Sequence, residues 1–244
     1  VTAVDFSFTV PSVAELEVAQ VVAVGRYLTG AGKSILPVEF EDYMTAGIGV
    51  WFVFEDGADD ADGGAGMGAA NALAANDALV ALGLPTSCPV YFAADKEYAP
   101  GAEPVGYWQG IATVRPRLTN GAYGQGSLLT RLQSMGLIGF GWQSDSDSFP
   151  GSGPVAVGAA NLHQRPTGAP LYGTDLDLIL TPDFGQWPRP GLTPTPPEED
   201  ENMTSIEYAG QMHVFWTNPA TGVCSHWWQQ SGVPGWHSEL LPAP

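Results

Sequence analysis

The chain has 244 residues, 44% of them apolar, with 8 Trp, 8 Tyr and 10 Phe, which is enough for a sizeable core and excludes disorder throughout. Against 26 acidic residues stand 8 Lys and Arg, a formal charge of −18. That balance excludes nucleic acid as a partner, because phosphate backbones need Lys and Arg for neutralisation, and disfavours an anionic membrane surface by the same sign. Neutral glycans, cations and basic surfaces stay open.

No basic-then-apolar leader opens the chain and no run of about 18 apolar residues occurs, so no membrane span is expected. Residues 3–8 read as a first strand. Pro11–Gln20 follows as a helix, with a proline start and the capping spacing of Ser12 and Glu15. A Val-rich strand runs over 21–27, then a helix over Pro37–Ala46, with Phe40, Tyr43 and Met44 on one face and Gly47 as its stop. The strand at 48–54 is apolar on both faces, as a buried parallel sheet requires. Residues 66–82 are Ala-rich and end at Gly83, with Pro85 beyond, the clearest helix of the chain. Strands at 89–94, 121–124, 137–142, 159–164 and 174–178 alternate with helical stretches at 103–119, weakened by Pro116, and at 126–135.

Strands alternating with helices imply parallel pairing and right-handed crossovers. Eight strands before residue 187 predict an α/β fold, a compact (β/α)8 TIM-like barrel, with an open doubly wound sheet as the alternative. No Gly-x-Gly-x-x-Gly follows the first strand and no P-loop occurs, so no nucleotide cofactor is expected. Residues 188–202 are rich in Pro and acid and read as a linker, separating the barrel (1–187) from a small β module (203–244). The two cysteines, Cys88 and Cys224, fall on opposite sides of it. They do not make a zinc site, and Cys88 is expected to pack as a small hydrophobe rather than pair.

A β/α barrel collects its chemistry at the C-terminal ends of its strands. Those ends carry Asp5, Glu55, Asp95 with Glu97, Gln143 beside Trp142, Gln164, and Asp175 with Asp177. Several carboxyls among Trp and Gln suit a sugar, since glycoside hydrolysis uses one carboxylic acid and one carboxylate, and aromatic faces give sugar rings an apolar platform. Asp5 and Asp95 stand out, because each is flanked by apolar strand residues where an acid without a role is costly. Glu55 and Asp56, just ahead of Asp59, Asp60 and Asp62, also fit a solvated acidic loop, and no calcium-loop frame is present there. His163 reads as a packed histidine, with no Ser/His/Asp frame around it.

Val4-Asp5-Phe6-Ser7, Gly25-Arg26-Tyr27-Leu28, Tyr91-Phe92-Ala93-Ala94-Asp95, Gly121-Ala122-Tyr123-Gly124, and Gln164 with Asp175-Leu176-Asp177 form an ordered set. So do the helix end Ala81-Leu82-Gly83-Leu84-Pro85 and the closing Asp183-Phe184-Gly185-Gln186-Trp187. Over residues 1–187 the set resembles the glycoside-hydrolase-like TIM-barrel family of actinobacterial secreted proteins and their phages, related to the family 25 lysozymes that cut peptidoglycan glycan strands. The resemblance implies a cell-wall glycan as partner and an extracellular or virion-associated place of action. It implies Asp5 and Asp95 as pocket acids, with Glu55, Glu97 and Asp177 as further catalytic candidates. Tyr27, Tyr91, Tyr123, Trp142, Gln143, Gln164 and Asp175 are the substrate-binding candidates. One departure counts: the lysozymes end strand 4 with Tyr-Phe-Asp-x-Glu, and this chain has Ala93 for the Asp and Asp95 for the Glu.

The tail reads strand, turn, strand, Gly turn, Trp strand, and resembles one blade-sized repeat of lectin-type β-propellers. A lone blade leaves its faces uncovered, so the module is expected to dock on the barrel, assemble with copies on other chains in a homo-oligomer or virion, or continue in further sequence. Three functions follow: a wall-directed glycosidase (a phage lysin or tail-associated enzyme, or a secreted one), a catalytically silent glycan binder such as a phage tail protein, or an assembly protein. None calls for a cofactor or a metal.

Overall fold

The computed structural model describes residues 2–99, 101–145, 159–165 and 168–189, and the backbone of four strands between 203 and 241. The chain divides into two compact units, Val1–Trp187 and Pro188–Pro244. Among the described residues no helix is long and apolar enough to cross a membrane.

Eight strands of the first unit close into a barrel: β1 (Thr2–Asp5), β2 (Val21–Tyr27), β3 (Gly49–Phe54), β4 (Val90–Ala93), β5 (Asn120–Gly124), β6 (Phe140–Gln143), β7 (Leu162–Arg165) and β8 (Asp175–Ile179). The helices between them are α1 (Val13–Val18), α2 (Pro37–Ala46), α3 (Gly64–Ala81), α4 (Val105–Ile111) and α5 (Gly126–Ser134). The α1 start carries the reciprocal Ser12–Glu15 capping box. Closure of the sheet settles the choice against an open doubly wound arrangement.

Several elements differ from the sequence reading, three of them for a clear local reason. β1 stops at Asp5 rather than at residue 8, where the Arg26 guanidinium takes over the carbonyls of Phe6 (2.6 Å) and Ser7 (3.3 Å). α4 covers Val105–Ile111 instead of 103–119, because Thr113 Oγ1 folds back on the Gly110 carbonyl and Pro116 bars a continuing helix. β8 runs antiparallel to both β7 and β1. Residues 166–174 are the whole connection from β7, and a parallel return needs a dozen residues or more. The N-terminal end of β8 therefore shares the rim with the C-terminal ends of β1–β7.

The two faces of the strands build two cores. Val4, Val24, Val50, Phe52, Phe54, Val90 and Phe92 point outward into the layer shared with the helices. Ala3, Ala23, Trp51, Val53, Tyr91, Ala93, Phe140, Trp142 and Leu162 fill the inside. Phe184 closes the far end: its carbonyl accepts from Tyr91 Oη at 2.6 Å and its ring meets Trp51 at 5.8 Å. Trp187 then bridges Val50 by a reciprocal pair of backbone bonds. Cys88 is buried in the outer core.

In the second unit, β9 (Met203–Tyr208), β10 (Gln211–Thr217), β11 (Cys224–Gln229) and β12 (His237–Leu241) form an antiparallel sheet in the order β12-β11-β10-β9. The linker from residue 190 and the side chains of the module, Cys224 included, lie outside the described residues.

Candidate active site at the barrel mouth

Asp5 ends β1 on the inward face, two residues beyond Ala3. Its Cα partner on β2 is Gly25, where a Cβ would fall 2.6 Å from the Trp51 ring and 2.8 Å from Asp5 Cβ. Glycine at that position leaves room for both side chains. The same inward alternation presents Tyr27 from β2, Val53 and Glu55 from β3, and Ala93 and Asp95 from β4. Tyr123, Trp142, Gln164 and Asp175 follow from the next four strands. These residues line one cavity of about 170 Å³. Drug-sized pockets run to roughly 300–1,000 Å³, so this cavity is small.

The floor is a bonded network. Gln164 Nε2 donates to Asp5 Oδ2 at 2.9 Å, and Gln164 Oε1 accepts from Tyr123 Oη at 2.7 Å. Trp142 Nε1 donates to Asp177 Oδ1 at 2.7 Å. Asp177 is wholly buried, and its Oδ2 meets no protein donor. It titrates as a pair with the buried Asp5. Burial raises Asp177 well above the ordinary carboxylate range, with the Asp5 charge adding to it. Asp5 is pushed up to about 7, first by burial, while the bonds from Asp177 and Gln164 pull the other way. The two acids thus keep a proton between them above the ordinary carboxylate range.

The rim is more open. Asp95 is exposed at its tip, yet partial burial raises its pKa, the Glu55 charge raises it further, and Lys33 opposes both. Glu55 Oε2 lies 3.1 Å from Lys33 Nζ, which itself stands 4.4 Å from the centre of the Tyr27 ring. Asp175, the Cα partner of Asp5 across β8, is also raised by partial burial. Burial and the charges of Asp5, Glu55, Asp95 and Asp175 hold the Tyr27 phenol protonated far above its usual range. The mouth therefore offers carboxyls of unequal proton affinity beside aromatic faces. Among the described residues no group of three or more His, Cys, Asp or Glu is arranged to hold a metal ion.

Of the catalytic candidates, Asp5, Glu55 and Asp95 come together at the cavity. Asp177 lies one layer below, because the reversed direction of β8 puts Asp175 at the rim and Asp177 deeper. Glu97 is exposed in the loop after β4 and does not line the cavity. Of the binding candidates, Tyr27, Tyr123, Trp142, Gln164 and Asp175 line it. Tyr91 sits in the closed lower layer, bonded to the Phe184 carbonyl. Gln143, next to the inward Trp142, faces the helices and is fully buried. His163 is buried too, 3.6 Å from Asp145, which pairs with Arg165 at 3.0 Å.

Lys33, Val53 and Ala93 are the additions. Val53 and Ala93 were within reach of the strand alternation, standing two residues before Glu55 and Asp95. The signal for Lys33 is thinner: one of two lysines in the chain, set after Gly30-Ala31-Gly32.

The Tat-secreted protein Rv2525c of Mycobacterium tuberculosis, solved in complex with HEPES, is similar to this chain at 26% identity and a TM-score of 0.68, covering 76% of this chain and 98% of that one. Its L-tartrate complex gives the same values. An uncharacterised Bacillus stearothermophilus protein matches at 15% identity and a TM-score of 0.54, over 73% of this chain and 95% of that one, a likeness of fold alone. No curated protein matches the chain. The model of the Rv2525c-like, glycoside hydrolase-like domain matches residues 14–147, more than half of the sequence, and the chain belongs to that family.

Proposed function

We propose that this protein is a glycosidase directed at bacterial cell-wall glycan, exported to act at the wall as a secreted or phage-borne enzyme. The observation that carries the reading is the convergence of Asp5, Glu55, Asp95 and Asp175 from four strands on one small cavity walled by Tyr27, Tyr123 and Trp142. Asp95 is the acid: it stands at the open rim with its proton affinity raised, and it protonates the leaving glycosidic oxygen. Glu55 is the carboxylate partner, taking the proton of the attacking water. Asp5, held by Gln164 and Asp177, receives a sugar hydroxyl at the floor. The family's name and the lysozyme-like motif order support the substrate class, and the Tat secretion of Rv2525c supports export.

The test is release of reducing sugar from purified cell wall. Asp95→Asn is expected to lower the rate by roughly 10²–10⁴-fold. Undiminished release by that variant overturns the assignment. One observation favours a second reading, a catalytically silent glycan binder: Ala93 lines the cavity where the lysozyme pattern has its other acid. Retention of wall glycan by the wild-type protein, with no soluble fragments under any condition, would establish it.

A further inference from the structure

Two aromatic side chains stand in water beside the mouth. Phe8, three residues beyond Asp5, is 70% exposed, and Tyr172, three residues before Asp175, is 93% exposed. Asp5 and Asp175 are Cα partners across β1 and β8, and both line the cavity. The loops that carry the two rings touch. Gly173 has a φ of +76°, and a Cβ there would fall 2.8 Å from Thr9 Cβ, so bare glycine lets the turn of Tyr172 lie against the residue after Phe8. Thr174 Oγ1 closes that turn by donating to the Leu171 carbonyl at 3.0 Å. On its other side Phe8 reaches the loop after β2, where a Cβ on Gly32 would stand 3.9 Å from its ring. Both rings thus belong to one sector of the rim, over the neighbouring strands β8, β1 and β2.

That sector is neutral. Residues 6–12, 28–32 and 168–174 hold no Asp, Glu, Lys, Arg or His, in a chain with 26 acidic residues. The loops after β3 and β4, by contrast, carry Glu55, Asp56, Asp59, Asp95, Lys96 and Glu97. A single exposed ring needs no partner, but two aromatic rings on touching, uncharged loops beside a cavity mark a binding face. Its occupant has to be uncharged and has to offer C–H faces to the rings. A glycan is a chain, and a sugar joined to the one at the mouth has to rest on the rim. We propose that Phe8 and Tyr172 form a second subsite, which takes the neutral sugar ring next to the one held at the cavity. The inference rests on the glycan reading of the mouth and adds to it the side on which the chain runs out.

Calorimetric titration of the full chain carrying Asp95→Asn, so that the probe is not cut, tests this with N-acetylglucosamine and its β-1,4-linked tetramer. In that background Phe8→Ala and Tyr172→Ala are each expected to weaken the tetramer by roughly 3–10-fold and to leave the monomer within about twofold. Tyr172→Phe, which keeps the ring, is expected to keep the affinity for the tetramer. Tetramer affinity unmoved by both alanine variants, equal losses for monomer and tetramer, or no binding of the tetramer by the parent each overturn the proposal. A change of oligomeric state in the variants by light scattering, with tetramer affinity unmoved, assigns the rings to a protein contact and overturns it as well. The expected losses, together with no sugar release from cell wall by the wild-type protein, would sink the glycosidase reading and leave the subsite standing. Release of sugar from the wall with tetramer affinity indifferent to both rings would do the reverse.

Discussion

Asp177 and Asp5 show how burial turns two ordinary acids into one proton-holding unit. Both midpoints are raised in the folded chain, so between about pH 4 and 7 the folded state binds more protons than the unfolded one. Their contribution is full below the unfolded carboxylate range and is lost as pH rises, by at most about 1.4 kcal/mol per pH unit for each group. Asp177→Asn mimics the protonated side chain: its oxygen accepts from Trp142 and its amide donates to Asp5. We expect Asn at 177 to flatten the decline in stability from pH 4 to 7. It should also raise the melting temperature at pH 7 by about 2–8 °C, for roughly 1–2 kcal/mol. Thermal scans across that range check this, and an unchanged slope refutes the shared proton. Arg26 has a different task, although it stands in one of the recognisable motifs. It is 1% exposed, pairs Glu39 and seats the end of β1, which fixes the direction in which Asp5 points.

Among the elements, α3 and α4 approach each other closely. A Cβ at Gly68 would strike the Tyr107 carbonyl, and one at Gly110 the Ala65 carbonyl, so bare glycines let the two backbones touch. Gly68→Ala is expected to cost about 1–3 kcal/mol through overpacking, despite alanine's better helix propensity, as read from the urea midpoint of the barrel. A stabilised variant would mean that the helices can part freely. This contact was not legible in the sequence, where the glycines of α3 look like weak points in an Ala-rich helix. The strands were legible, because runs such as Val50–Phe54 carry apolar side chains on both faces and have one plausible place, inside a covered sheet. The direction of β8 followed from loop length, a quantity present in the sequence but outweighed by the α/β alternation before it.

For the whole molecule, the barrel closes its core within residues 1–187: β8 seals against β1, and Phe184 and Trp187 finish the far end. Residues 1–187 expressed alone are therefore expected to melt as the same unit does in the full chain. A loss beyond about 4 °C, on the order of 1 kcal/mol or more, would show that the second unit supports the first. Light scattering on the same two samples tests assembly through the β module. Oligomers of the full chain that persist without it would place the assembly surface on the barrel. The full chain carries a formal charge of −18. Part of it is neutralised locally, as where Lys96 bridges Asp59 and Asp62.

The sequence by itself determined the alternating elements and the candidacy of Asp5 and Asp95, because these depend on apolar patterning and on the cost of placing an acid among apolar neighbours. Only the tertiary structure decided which acids meet. It put Asp175 at the rim and Asp177 beneath it, left Glu97 outside, and set Lys33 against Glu55. Those outcomes depend on closure of the barrel and on one short connection, which bring together residues as far apart as Asp5 and Gln164. Proton affinities follow from that closure, since they answer to burial and charge at a few ångströms, distances that no local pattern carries.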